Sequence, residues 1–239
     1  AGLGAEARVL IGGGAYWLAE PLVLEPRDSR VIYSALPGER PVLSGGTKLE
    51  LKWEPYRNGI LQAHTPAGLS FDQLYVNGQQ RVRARTPNEG YLRVAGCPEG
   101  TPKTVHYHKD CQTFQFKPGD IRADWTNLSD VEVIVYHFWT DSHLPIKTVD
   151  TVSNLVTFAH KAGKTFTDDF SEDGARYIVE NVFEGLDAPG EWYLNRRTGQ
   201  LFYYPMPGED LAKAEVVAPF ASAHLRLEGK PAERRYVEH

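Results

Sequence analysis

The feature that most constrains this chain is the brevity of its apolar runs. VLI (9–11), LVL (22–24), VIYSA (31–35) and PVLS (41–44) are separated by Gly12-Gly13-Gly14, Pro26-Arg27-Asp28-Ser29 and Pro37-Gly38-Glu39. Runs of three to five aliphatic residues cut by turn residues fit buried strands and are too short for helices. The pattern continues throughout, because 22 Gly and 16 Pro punctuate the 239 residues. The turns are too long for two-residue hairpins and no helical segment separates the runs. Antiparallel strands and the stacked coils of a solenoid are both compatible with this spacing.

From Lys48 the pattern changes. Asn77-Gly78 is a two-residue turn signal flanked by Phe71, Leu74 and Val76. The strand after it places Arg81, Arg83 and Arg85 on one face. VEVIVYHFW (131–139) is apolar on both faces and reads as a central strand. HLPIKTVD and NLVTFA form a hairpin around Asp150–Ser153, and the polar stretch 164–175 reads as an exposed loop. In YIVENVFEGLD, Ile178, Val182 and Leu186 recur at i, i+4, i+8, which predicts a short helix ended by Ala188-Pro189-Gly190. EWYL and QLFYY flank a hairpin loop at Asn195–Gly199. AEVVAP and HLRLEG give further strands, and RYVEH reads as the beginning of another. Residues 1–47 and 219–239 read alike, as short strands with tight turns. Residues 48–218 read as an inserted, mainly antiparallel β domain.

Composition excludes several functions. Hydrophobic residues make up 41% of the chain, which indicates a folded core rather than disorder. A net charge of -5 gives no basic excess to attract nucleic acid. The apolar runs are too short to span a membrane as helices. The chain starts at Ala1, holds a single Met (Met206) and shows no signal-peptide pattern, so the expectation is a processed protein or a piece of a longer one. There is no G-x-S-x-G, P-loop or H-E-x-x-H motif.

The order of five phrases resembles the bacterial right-handed parallel β-helix proteins of the glycoside hydrolase family 141-like group, which include α-L-fucosidase and xylanase members. The phrases are GGGAYWLAEPLVLEPRDS, PGERPVLSGG, QLYVNGQQRVRARTPNEG, VEVIVYHFW and RYIVENVFEGLDAPGEWYLNRRTGQLFYYPMPGED. The resemblance implies the first coils of a parallel β-helix, interrupted by an antiparallel β-sandwich-like domain with one short helix. It also implies a polysaccharide or oligosaccharide partner, a C-terminal β-helix of the same protein that continues beyond VEH, and a secreted or extracytoplasmic location. The family's catalytic carboxylates lie in those later coils. No residue here matches them, so catalytic residues are unassigned and no cofactor is expected.

The residues themselves offer several candidates. Glu180, Glu184, Asp187 and Glu191 are crowded enough to suggest the carboxylate pair of a small glycosidase, whose members stand roughly 5–9.5 Å apart. A solvated helix face, with Glu191 supporting the turn, is the commoner use of such spacing. Arg81, Arg83 and Arg85 could take a uronate carboxylate, or could simply be salt-bridged within an acidic chain. Trp17, Trp53, Trp125, Trp139 and Trp192 are candidate sugar-stacking platforms, although core packing is the default. Trp192 alternates with Tyr193, so one of the two is expected to face out, and Trp139 is grouped with His137 and His143. Cys97, His106, His108 and Cys111 are zinc-ligand types, but their spacing matches no usual pattern and no metal site is assigned. A Cys97–Cys111 bridge is left open. The substrate-contact candidates are thus Arg81, Arg83, Arg85, Trp139, His143, Trp192 and Glu191. The leading reading is a non-catalytic part of a β-helix glycoside hydrolase-like protein. A stand-alone carbohydrate-binding module and a complete small glycosidase are the alternatives.

Overall fold

The computed structural model describes residues 7–168 and 174–238. The described residues are mainly β, with short 3₁₀ turns and no α-helix, so none of their helices could cross a membrane. The chain divides into two compact units. The first comprises Ala1–Glu50, Tyr75–Gly78 and Glu215–His239, and the second Leu51–Leu74 and Gln79–Ala214.

In the first unit, strands pair in parallel with later strands of the same kind. Ala7–Ile11 pairs with Val31–Ala35, Gly14–Trp17 with Pro41–Ser44, and Leu22–Leu24 with Leu225–Leu227. The first members of these pairs follow one another as strand, turn, strand, turn, strand, and their partners repeat that order. Three further segments pair antiparallel: Gly46–Lys48 with Val216–Pro219, and Val216 and Val217 with Val76 and Tyr75. Gly46 is required there, because a Cβ at that position would lie 2.4 Å from a Val217 methyl carbon. Leu49 donates its amide to the Val216 carbonyl at 2.8 Å, so the points where the chain leaves and re-enters this unit lie side by side. Glu238 docks by donating its amide to the Ser29 hydroxyl and accepting the Arg30 amide at its carbonyl. The expected strand at RYVEH is absent from the described residues: a 3₁₀ turn at Pro231–Glu233 precedes it, and only Arg235 pairs, in an isolated bridge with Lys230. His239 lies outside the described residues.

The second unit holds two sheets. In one, Gln79–Arg83, Glu191–Asn195, Gln200–Tyr203, Ile60–His64 and Glu54–Arg57 lie in that order, with only the first pair parallel. In the other, Arg85–Thr86, Arg176–Glu180, Glu132–Tyr136, Asp141–Asp150, Leu155–Phe158 and Thr113–Gln115 are all antiparallel. The main apolar cluster, with Phe114, Val133, Val135, Phe158 and Tyr177 at its centre, lies against this second sheet. A smaller cluster of Ile60, Tyr193 and Phe202 gathers Ala84 and Leu186.

The helix expected from Ile178, Val182 and Leu186 does not form. Arg176–Glu180 is a strand, and a 3₁₀ turn at Phe183–Gly185 follows. The physical reason is that this segment pairs with Glu132–Tyr136, and Tyr177, Ile178 and Val179 are buried in succession, as in a strand covered on both faces. Asn181 then takes φ 58° and breaks any continuation. The strand at 131–139 is central, as expected, but it ends at Tyr136. His137 donates its amide to the Thr140 carbonyl, which turns Trp139 out to solvent. Of the exposed loop expected at 164–175, residues 169–173 lie outside the described part, and Thr165, Phe166, Thr167 and Ala175 are buried rather than exposed.

Candidate functional site

The three arginines reach one cleft because the chain changes sheets between them. Val82 and Arg83 pair in parallel with Glu191 and Trp192. Arg85 pairs antiparallel with Glu180 of the other sheet. Ala84 is the buried pivot: its amide donates to the Trp192 carbonyl and its carbonyl accepts from the Val182 amide. Arg81, Arg83 and Arg85 thus line a cleft of 360 Å³ with Asp72, Gln80, Val82 and Glu180.

Those guanidiniums are already engaged. Arg81 bonds Glu209 at 2.8 Å; Arg83 bonds Glu132 at 2.8 Å and stands 3.4 Å from Asp72; Arg85 donates to the Pro87 carbonyl at 3.0 Å. Arg196 also pairs with Asp72. Burial alone would push the Glu209 carboxyl up, but hydrogen bonds from Tyr203 and Arg81 outweigh it and hold it below its ordinary value. Burial raises Glu180, against the pull of Arg83 and Arg85. Intramolecular charge pairing therefore accounts for Arg81 and Arg83, where a uronate would have to compete with fixed carboxylates, and a backbone carbonyl holds Arg85.

None of the other candidates lines this cleft, although Glu191, Trp192 and His143 adjoin it. Trp192 is 0% exposed, inside a central strand covered on both faces, and donates its indole N–H to the Arg81 carbonyl. Its neighbour Tyr193 is buried too, so the expectation that one of them faces out is corrected. Glu191 is 3% exposed, and its Oε2 accepts the amides of Asp187 and Ala188 at 2.9 Å each. It pins the turn and presents nothing to a ligand. His143 is half-exposed, 3.8 Å from both Glu132 and Asp141. Trp139 is 61% exposed, set edge-on to Phe138, with the Lys164 ammonium 4.3 Å from its ring centroid. His137 is buried behind it, hydrogen-bonded to Ser142 at 2.9 Å.

The cysteines and histidines do not form a ligand set. Among the described residues, no three His, Cys, Asp or Glu side chains are placed to hold a metal ion. Cys97 and Cys111 are both thiols. That of Cys97 points at the Phe166 carbonyl, and burial, then Glu99, pushes that of Cys111 up.

A second cleft of the same unit, 380 Å³ in volume, shares Arg85 with the first. Leu92, Trp125 and Val182 form its apolar lining, and Asp120, Glu184 and Asp187 bring three carboxylates to it. Each carboxylate is held by a donor. Tyr177 O–H bonds Asp120 at 2.9 Å, the Thr126 amide and hydroxyl bond Glu184 at 3.0 and 2.6 Å, and the Asn88 side-chain amide bonds Asp187 at 2.7 Å. Arg122 is chelated by Asp124 through two bonds of 2.8 and 2.9 Å. Glu184 and Asp187 stood out in the sequence as crowded carboxylates, and the 3₁₀ turn brings them to this rim. Asp120 and Arg122 gave no signal, because they lie in irregular chain some 60 residues away, and Trp125 was noted only as one of five tryptophans, with nothing to tie it to this rim.

Comparison with known proteins bears on this unit directly. The family model of the GH141 insertion domain matches residues 61–206. A solved structure named "Glycoside hydrolase" superposes with a TM-score of 0.78 at 23% identity, over 93% of this chain and 40% of that one. This chain therefore spans less than half the length of that protein. No curated protein matches it. With more than half its length matched, the chain belongs to the family of the GH141 insertion domain.

Proposed function

We propose that this chain is an N-terminal, non-catalytic part of a secreted, carbohydrate-active protein of the glycoside hydrolase kind. In this reading the first unit supplies the opening coils of a right-handed parallel β-helix, and the second is the inserted domain that caps it and flanks a polysaccharide cleft. The observation that carries the reading is the set of three parallel ladders, in which Ala7 faces Val31, Gly14 faces Pro41 and Leu22 faces Leu225. Strand positions that recur in order and stack in parallel are the signature of successive solenoid turns. The partner of such coils is more β-helix from the same polypeptide, and the similar glycoside hydrolase has the extra length to hold it.

The 239 residues alone should retard in affinity gels containing polysaccharide yet turn over neither aryl α-L-fucosides nor xylan. Turnover at an ordinary enzymatic rate, on the order of 1 s⁻¹ or faster, overturns the non-catalytic reading. A second reading, a stand-alone carbohydrate-binding module, is favoured by the exposed Trp139 beside Phe138. Loss of gel retardation in Trp139→Ala would support it.

A further inference from the structure

We infer that the cleft lined by Thr86, Asn88, Asp120, Trp125, Glu184 and Asp187 is a binding site for a neutral, hydroxyl-rich sugar residue. The inference rests on the carbohydrate reading above and adds the place and the class of sugar.

Three properties of the cleft lead there. Its 380 Å³ lies within the range of small-ligand sites, roughly 300–1,000 Å³. Its lining is chiefly polar: Trp125 and Val182 are buried beneath its floor and Leu92 is half-buried, while three carboxylates offer acceptors to sugar hydroxyls. Those acceptors are fixed before any ligand arrives. Asp120, Glu184 and Asp187 are each oriented by a donor from another segment, namely Tyr177, Thr126 and Asn88. An ionised carboxylate has about four acceptor positions, so each retains capacity for hydroxyl donors. Binding then spends little on ordering side chains.

Charge selects the class. The lining holds three carboxylates against Arg85 and Arg122, and Arg122 is already neutralised by Asp124. An acidic sugar is therefore repelled here. In the neighbouring arginine cleft, Arg81 and Arg83 are already bound to Glu209, Glu132 and Asp72, and Arg85 donates to the Pro87 carbonyl.

The test is calorimetric titration of the whole chain with xylohexaose, cellohexaose and mannohexaose as neutral probes and hexagalacturonate as the acidic one. At least one neutral probe should bind with a sub-millimolar Kd and hexagalacturonate should not. Asp187→Asn and Glu184→Gln should each weaken neutral binding about tenfold or more. Arg122→Trp, at an exposed rim position, should block the cleft without touching the core. Trp139→Ala, outside the cleft, should leave binding within about twofold. Thermal melting checks that each variant is folded. Neutral binding unchanged in Asp187→Asn, Glu184→Gln and Arg122→Trp overturns the site. Tighter binding of hexagalacturonate overturns the class. If no neutral hexaose binds while polysaccharide gels still retard the chain, the cleft fails and the broader carbohydrate reading stands; if neither occurs, both fail.

Discussion

The two units are built from the same kinds of strand residue, yet they treat them oppositely. In the second unit, Val133, Val135, Tyr177 and Val179 are fully buried. In the first, Val9, Leu10, Val42 and Leu43 sit on strands of equal apolarity and stay exposed, Leu10 by 51%. Apolar periodicity specifies that a face is to be covered; the neighbouring layer decides whether it is. A sheet with partners on both sides and a covered face is a finished interior. A two-stranded parallel ladder has unpaired backbone on its outer edges, the surface on which solenoid repeats add.

This contrast can be broken by mutation. The largest effect is expected at Phe114, packed among Phe158, Phe166 and Tyr177. Phe114→Ala should cost about 3–5 kcal/mol in chemical denaturation, and a loss below about 1 kcal/mol would mean the second unit is not the stable interior it looks. Acid comes next. Burial, with Lys164 nearby, lowers His137 from its ordinary value to about 4. Its neutral form therefore stabilises the folded state fully above the unfolded value of 6.5. That contribution is lost as pH falls from there through 4, up to about 3 kcal/mol at the acid end. His137→Gln should flatten stability across this window, and an unchanged pH profile would remove His137 as its source. Arg83→Ala, which leaves Glu132 without its 2.8 Å partner, should cost about 2–3 kcal/mol by thermal melting. The smallest change belongs to the first unit. Leu10→Ala should shift stability by less than about 1 kcal/mol. A large loss there would show that its side chain is covered in solution and erase the contrast.

Much of this was legible because turns are local. Asn77 and Gly78 take φ 52° and 73°, the positive values that the Asn-Gly pair announces. The hairpin at Asn195–Gly199 closes with Asn195 opposite Gln200. The central strand was readable from its two apolar faces. The error at Ile178–Leu186 is equally physical: three apolar residues four apart satisfy a helix, but an uninterrupted buried triplet at Tyr177–Val179 satisfies a doubly covered strand, and tertiary context chose the latter. Alternation puts Arg81, Arg83 and Arg85 on one face of one strand, whereas the chain crosses to the other sheet at Ala84; the partners Glu132 and Glu209 lie far along the chain, so the sequence alone left open whether the arginines were spare. The carboxylate cleft was half visible. Glu184 and Asp187 were conspicuous, whereas Asp120 and Trp125 reach it from a segment with no periodicity to read.

The Leu49–Val216 bond in the first unit has a kinetic consequence. Leu22–Leu24 finds its parallel partner only at Leu225–Leu227, so that ladder depends on one of the longest sequence separations in the chain. Closing so large a loop in a disordered chain is slow, because non-local pairs are reached only after much conformational freedom is given up. Once the intervening strands have folded, the ends at Leu49 and Val216 are adjacent, and the effective loop shrinks from about 200 residues to the stretches 25–48 and 217–224. The inserted domain would thus act as a timing device: it has to fold before the third ladder can close, and slowing it should delay that ladder first.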